Sequence, residues 1–137
     1  MDTKPFTAKC HCGAVTLTAT RAPFLQLVCH CQQCRDVAKT PSTGFAMFKR
    51  SDVTVQGELR VHPFVADSGA NTTRQSCPAC GDMMIDTTEG FPKMLGVVAD
   101  RLEPPFQFAP SCHLWTENAV APVTAPAGVA VHPRGMP

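Results

Sequence analysis

The sequence predicts a small, mostly β domain with one short helix. Three observations lead there. Helix-period patterns are scarce, short runs of alternating apolar and polar residues recur, and Gly and Pro punctuate them, with 13 prolines in 137 residues. At this length a single domain is the default, with room for only a modest core.

The elements follow in chain order. Residues 14–19 alternate as a half-buried strand does, and residues 25–28 read as a short strand. Only residues 31–39 have a pattern that suits a helix of any length, and Pro41 ends it. Residues 44–48 form a buried strand candidate. Residues 53–56 alternate up to Gly57, with residues 59–62 as their expected hairpin partner. Residues 72–76 make a polar strand that runs into Cys77, followed by apolar runs at 83–86 and 94–98, the last a good central strand. From about Ala121 the chain loses periodicity, and Pro122, Pro126, Pro133 and Pro137 sit among small residues. The expected organisation is a domain over residues 1–121 and an extended or disordered Pro/Ala-rich tail over 122–137.

Composition excludes some functions. A formal net charge of +1 without a Lys/Arg run argues against nucleic-acid binding. The first residues lack a secretory pattern, and no stretch is long and apolar enough to span a membrane, so a cytoplasmic location with reduced thiols is expected. One Trp and no Tyr make a core poor in large aromatics, which favours metal staples.

Seven of the eight cysteines fall into three clusters: Cys10 and Cys12; Cys29, Cys31 and Cys34; and Cys77 and Cys80. Such spacing suits a metal better than four disulfides of a secreted protein. The C-x-C of Cys10 and Cys12 and the C-x-x-C of Cys77 and Cys80 can close one tetrahedral zinc site. Each pair is followed by glycine, Gly13 and Gly81, as expected of knuckle turns that aim N–H groups at thiolates. A redox role for Cys77 and Cys80 would want a βαβ context, which is absent here. Cys29, Cys31 and Cys34 lie at a strand end and the start of the helix, where thiolates are favoured. They supply three ligands to a second zinc. The fourth position falls to water, a substrate thiol, Cys112, His30, His113 or His62. Cys112 otherwise reads as a small buried hydrophobe.

With these clusters in place, the sequence resembles the glutathione-dependent formaldehyde-activating family, which includes centromere protein V-type members. The matching stretches are Cys10-His11-Cys12-Gly13-Ala14-Val15, Cys29-His30-Cys31-Gln32-Gln33-Cys34-Arg35, Cys77-Pro78-Ala79-Cys80-Gly81 and His113-Leu114-Trp115, and the similarity runs from about Phe6 to Pro122. The resemblance implies a β-tent fold of stacked short antiparallel sheets. It implies a structural zinc on Cys10, Cys12, Cys77 and Cys80, and an active-site zinc on Cys29, Cys31 and Cys34. The implied activity is that of a carbon–sulfur lyase, joining glutathione and formaldehyde reversibly as S-(hydroxymethyl)glutathione. The segment from Val61 to Arg74 and the one after Trp115 depart from the family's pattern and are expected to include substrate-contacting residues.

Two function classes follow. The first is a zinc enzyme of thiol–aldehyde adducts, with a small thiol such as glutathione and an aldehyde as partners. There Arg35 would attract a substrate carboxylate, and His113, Asp36 or His30 would move a proton. The second is a non-catalytic zinc-binding interaction module, favoured if Cys112 or a histidine closes the second site.

Overall fold

The computed structural model describes residues 5–38, 40–66 and 69–135. Lys39, the expected last helical residue, lies outside them. Along the chain run β1 (Phe6–Lys9), β2 (Thr16–Ala19), β3 (Leu25–Cys29), helix α1 (Gln32–Ala38), β4 (Thr43–Lys49), β5 (Val53–Gln56), β6 (Arg60–Val65), β7 (Asn71–Ser76), β8 (Met83–Thr88), β9 (Met94–Val98), β10 (Cys112–Leu114) and β11 (Ala130–Val131), with three short 3-10 turns. The domain is therefore mostly β with one short helix, as the sequence predicts, and among the described residues no sheet closes into a barrel.

Strands β1, β2 and β5 form a three-stranded antiparallel sheet, and the rest form an eight-stranded sheet in the order β11-β10-β3-β4-β9-β8-β7-β6. Strand alternation gives the large sheet two apolar faces. On β4, Ala46 and Phe48 belong to one core, and Phe45 and Met47 to the other. The first core joins Ala46, Phe48, Leu95 and Val97 to Ala8, Leu17 and Ala19 of the small sheet, and includes Cys10 and Cys77. The second gathers Leu27, Phe45, Val98 and Leu114 around Cys29, Cys31 and Cys34. Each face of one sheet is thus tied to one cysteine group.

Three features differ from the sequence reading. Strand β5 does not pair with β6: Val55 lies opposite Leu17 of β2, while Val61 lies opposite Gln75 of β7. The chain crosses between sheets at Gly57, whose φ of 103° and close approach to the Ala14 carbonyl leave no room for a Cβ. The sheets are not wholly antiparallel, because β10 runs parallel to both β3 and β11. The last stretch, expected as an extended or disordered tail, carries β11 and returns to the sheet edge. Its contacts are Ala130 N–H to Ser111 O (3.0 Å), His132 N–H to His113 O (2.9 Å), and Trp115 N–H to Arg134 O (3.0 Å). Strands β10 and β11, with three and two residues, are too short for a periodic signal.

Candidate metal centre

Two knuckle turns build the four-thiol group. At the first, Gly13 takes φ 80°, Gly13 N–H donates to Cys10 O, and Val15 N–H donates to the Cys10 sulfur at 3.3 Å. At the second, Gly81 takes φ 81°, Gly81 N–H donates to Cys77 O, and Cys80 N–H points at the Cys77 sulfur at 3.5 Å. Both glycines therefore do what the sequence predicts, since positive φ is strained for other residues. Asp82 clamps the turns together, accepting from His11 N–H and from Arg101 at 2.7 Å. The four sulfurs lie within 4.8 Å of one another, with Cys10 and Cys77 buried and Cys12 exposed.

Cys29, at the end of β3, meets Cys31 and Cys34 from the turn into α1. All three are buried, and their sulfurs also lie within 4.8 Å of one another. Cys34 N–H donates to the Cys31 sulfur at 3.3 Å, and the Thr43 hydroxyl of β4 donates to Cys34 O at 3.2 Å. Among the described residues no other His, Cys, Asp or Glu atom joins this group. Cys112 is buried in the same apolar core and remains a free thiol outside the cluster. None of the eight cysteines is in a disulfide.

Crowded thiols share protons unequally. Hydrogen bonds from Cys29 and then Cys34 outweigh burial and draw Cys31 down to about 2, with help from the Cys34 N–H and Arg74. The same contacts with Cys31 and Cys34 push Cys29 far above the ordinary thiol range. Cys34 is pushed up to about 12: a hydrogen bond with Cys29 works to lower it, but Cys31 and burial outweigh that. Three buried sulfurs cannot all ionise unaided, and a thiophilic divalent cation among them resolves the conflict. The four-thiol group behaves alike. Burial acts to raise Cys10, yet Val15 N–H and the neighbouring thiols bring it to about 6. For Cys12, the Ala14 backbone contact lowers it, but Cys10 and Cys77 push it to about 12. Both donor sets fit a metal that prefers sulfur, as zinc does.

Sequence reading placed Arg74, in the middle of β7, at the end of a segment expected to include substrate-contacting residues but did not single it out or link it to the cysteines. Its side chain is only 4% exposed, and its Nη2 donates to the Cys34 sulfur at 3.0 Å. Its Nε donates to Asp86 of β8, the residue opposite it in register. The guanidinium lies 5.7 Å from the Phe45 ring centroid and 5.1 Å from that of Phe64. After the opposing effect of burial, Cys34 and Asp86 raise the Arg74 pKa further, so it stays charged. Strand period is a second sequence signal: Arg74 shares its buried face with Thr72 and Ser76.

The other expected site residues are dispersed. His30 Nε2 and His113 Nδ1 are 2.9 Å apart, with rings stacked at 5.2 Å. His113 lies between Cys112 and Leu114 on β10, so strand alternation turns it from the face carrying the cysteines. Burial, then the nearby charges of His113 and Arg35, hold the His30 pKa below its usual value. Arg35, on α1, has a buried Nε without a hydrogen-bond partner. Asp36 and His62 line a cavity of about 530 Å³ together with Phe64, Ser76 and Met83. Two of its walls, Phe64 and Met83, touch Arg74, with the Met83 sulfur 3.7 Å from Nη1.

Comparisons with known proteins bear on the family and the fold. The sequence profile of the family described as "Glutathione-dependent formaldehyde-activating enzyme" matches residues 5–118. Among curated proteins, none matches the chain. A crystal structure of a Rhodobacter sphaeroides protein, a structural-genomics target, is similar in fold, with a TM-score of 0.56 and 24% identity over 73% of this chain and 90% of that one.

Proposed function

The chain belongs to the glutathione-dependent formaldehyde-activating enzyme family, and on that premise we propose that it is a cytoplasmic zinc enzyme acting on thiol–aldehyde adducts. The observation that carries this is the three-thiol centre: three buried sulfurs converge, and no fourth protein ligand among the described residues joins them. A closed site would favour a non-catalytic binding module, and neither Cys112 nor a described histidine supplies that closure. Zinc held there supplies a cationic centre that acidifies a thiol or polarises an aldehyde oxygen.

The remaining roles belong to side chains. Cys29, Cys31 and Cys34 hold the ion, and the buried core around them keeps bulk water away. The cavity walled by Phe64 and Met83 leads toward Arg74 and is the place for a small thiol. Asp36 lines that cavity and is the best placed of the expected groups to move a proton, whereas His30 and His113 bond to each other. Arg35, with its unpartnered Nε, is the group to bind a substrate carboxylate such as glutathione carries. Glutathione with formaldehyde is the first pair to test.

Exchange between free formaldehyde and its glutathione adduct is measurable by NMR with ¹³C-formaldehyde. The wild-type protein is expected to accelerate this exchange, and Cys31→Ser to abolish the acceleration. If neither this pair nor other small thiols and aldehydes exchange faster with protein than without it, the proposal fails.

A further inference from the structure

We propose that Arg74 is a positioning residue of the three-thiol centre, one that offsets the negative charge gathered there and thereby favours an anionic sulfur ligand. This rests on the proposed function, because the ligand in question is the thiol of that reaction.

Charge counting makes the case. A divalent cation among three thiolates leaves one net negative charge, and an arriving thiolate makes it two. Such charge is costly in a buried setting unless a counter-charge lies within contact. Arg74 is the buried cation in contact with the cluster, bonded to Cys34 at 3.0 Å. Asp86 bonds the Nε side of the fork, which leaves the Nη2 arm directed at the Cys34 sulfur. The aromatic rings of Phe45 and Phe64 and the sulfur of Met83 keep the guanidinium from moving away. The register makes the placement robust: His62, Arg74 and Asp86 lie opposite one another across β6, β7 and β8. A mere sheet tie between β7 and β8 would need only the Asp86 contact. The second arm of the fork, aimed at a ligand sulfur, is what a charge-balancing residue requires.

The test uses full-length protein with Co²⁺ in the three-thiol centre. Two readouts are taken: the sulfur-to-cobalt charge-transfer band, and the affinities for 2-mercaptoethanol, which binds as a thiolate, and for imidazole, which binds neutral. Arg74→Met is expected to move the band to lower energy and to weaken the thiol about 10- to 100-fold, with imidazole much less affected. Arg74→Lys keeps the charge and is expected to retain most of the thiol preference. If Arg74→Met does not fold, Arg74→Gln compared with Arg74→Lys makes the same separation of charge from bulk. An unmoved band in a folded, uncharged variant overturns the proposal, and so does an equal loss of both probes. A wild-type protein that binds no thiol defeats the proposed function instead, and the band alone then decides whether Arg74 acts on Cys34.

Discussion

The two cysteine groups sit on opposite faces of the same eight-stranded sheet and differ in how they are finished. The four-thiol group is complete in its ligands, joins the first turn of the chain to residues 77–80, and lies beside the core shared with the small sheet. Asp82 beside it binds a backbone N–H and Arg101, so it ties turns together. The three-thiol group draws all its ligands from six consecutive residues and is bonded by a buried arginine from another strand. A metal in the first site closes a long loop of chain and so opposes unfolding; one in the second closes almost none. The difference teaches that ligand span along the sequence, as much as ligand number, separates a staple from a reactive centre.

The sharpest way to break this comparison is a pair of substitutions. Cys77→Ser is expected to cost the fold, since structural zinc in finger peptides contributes an apparent ~10–16 kcal/mol. Circular dichroism and melting should show an unfolded or grossly destabilised chain. Cys31→Ser should lose one metal and keep its melting transition. If the two behave alike, the division between them is wrong. Next in size is Phe48→Ala, on the face of the four-thiol core, where the side chain is 1% exposed. A loss of about 3–5 kcal/mol is expected in denaturant titration, with the three-thiol metal still bound at the native baseline. Loss of that metal in the folded variant would mean the two faces are not independent. The smallest effect belongs to Cys112→Ala. As a buried thiol outside the cluster, it should cost about 1 kcal/mol and leave the metal count unchanged. A lost metal ion would make Cys112 the missing fourth ligand.

Much of the molecule is legible in its sequence. Cysteine spacing is local and chemically specific, so the two donor groups, with Gly13 and Gly81 at their turns, follow from residues alone. Alternation locates β2 and β5, a polar run into Cys77 locates β7, and apolar runs locate β4, β8 and β9. The pairing of β5 and β6 is not legible. Both are edge strands with mostly exposed side chains, so nothing in their pattern tells which sheet each joins. Arg74 is hidden for a related reason. A charged residue on a polar strand reads as solvent-facing until register sets it beside Asp86 and a cysteine 40 residues away. The end of the chain escapes too, since β11 has only two residues and depends on β10 for its bonds.

The most direct test of the central claim is metal analysis of the purified wild-type protein before and after mild chelation, with circular dichroism recorded alongside. Two zinc ions are expected, one released by the chelator while the spectrum stays native, and that ion's site should be perturbed by added thiol when metal is restored. Two ions that resist the chelator equally, or that leave together as the chain unfolds, would contradict the account.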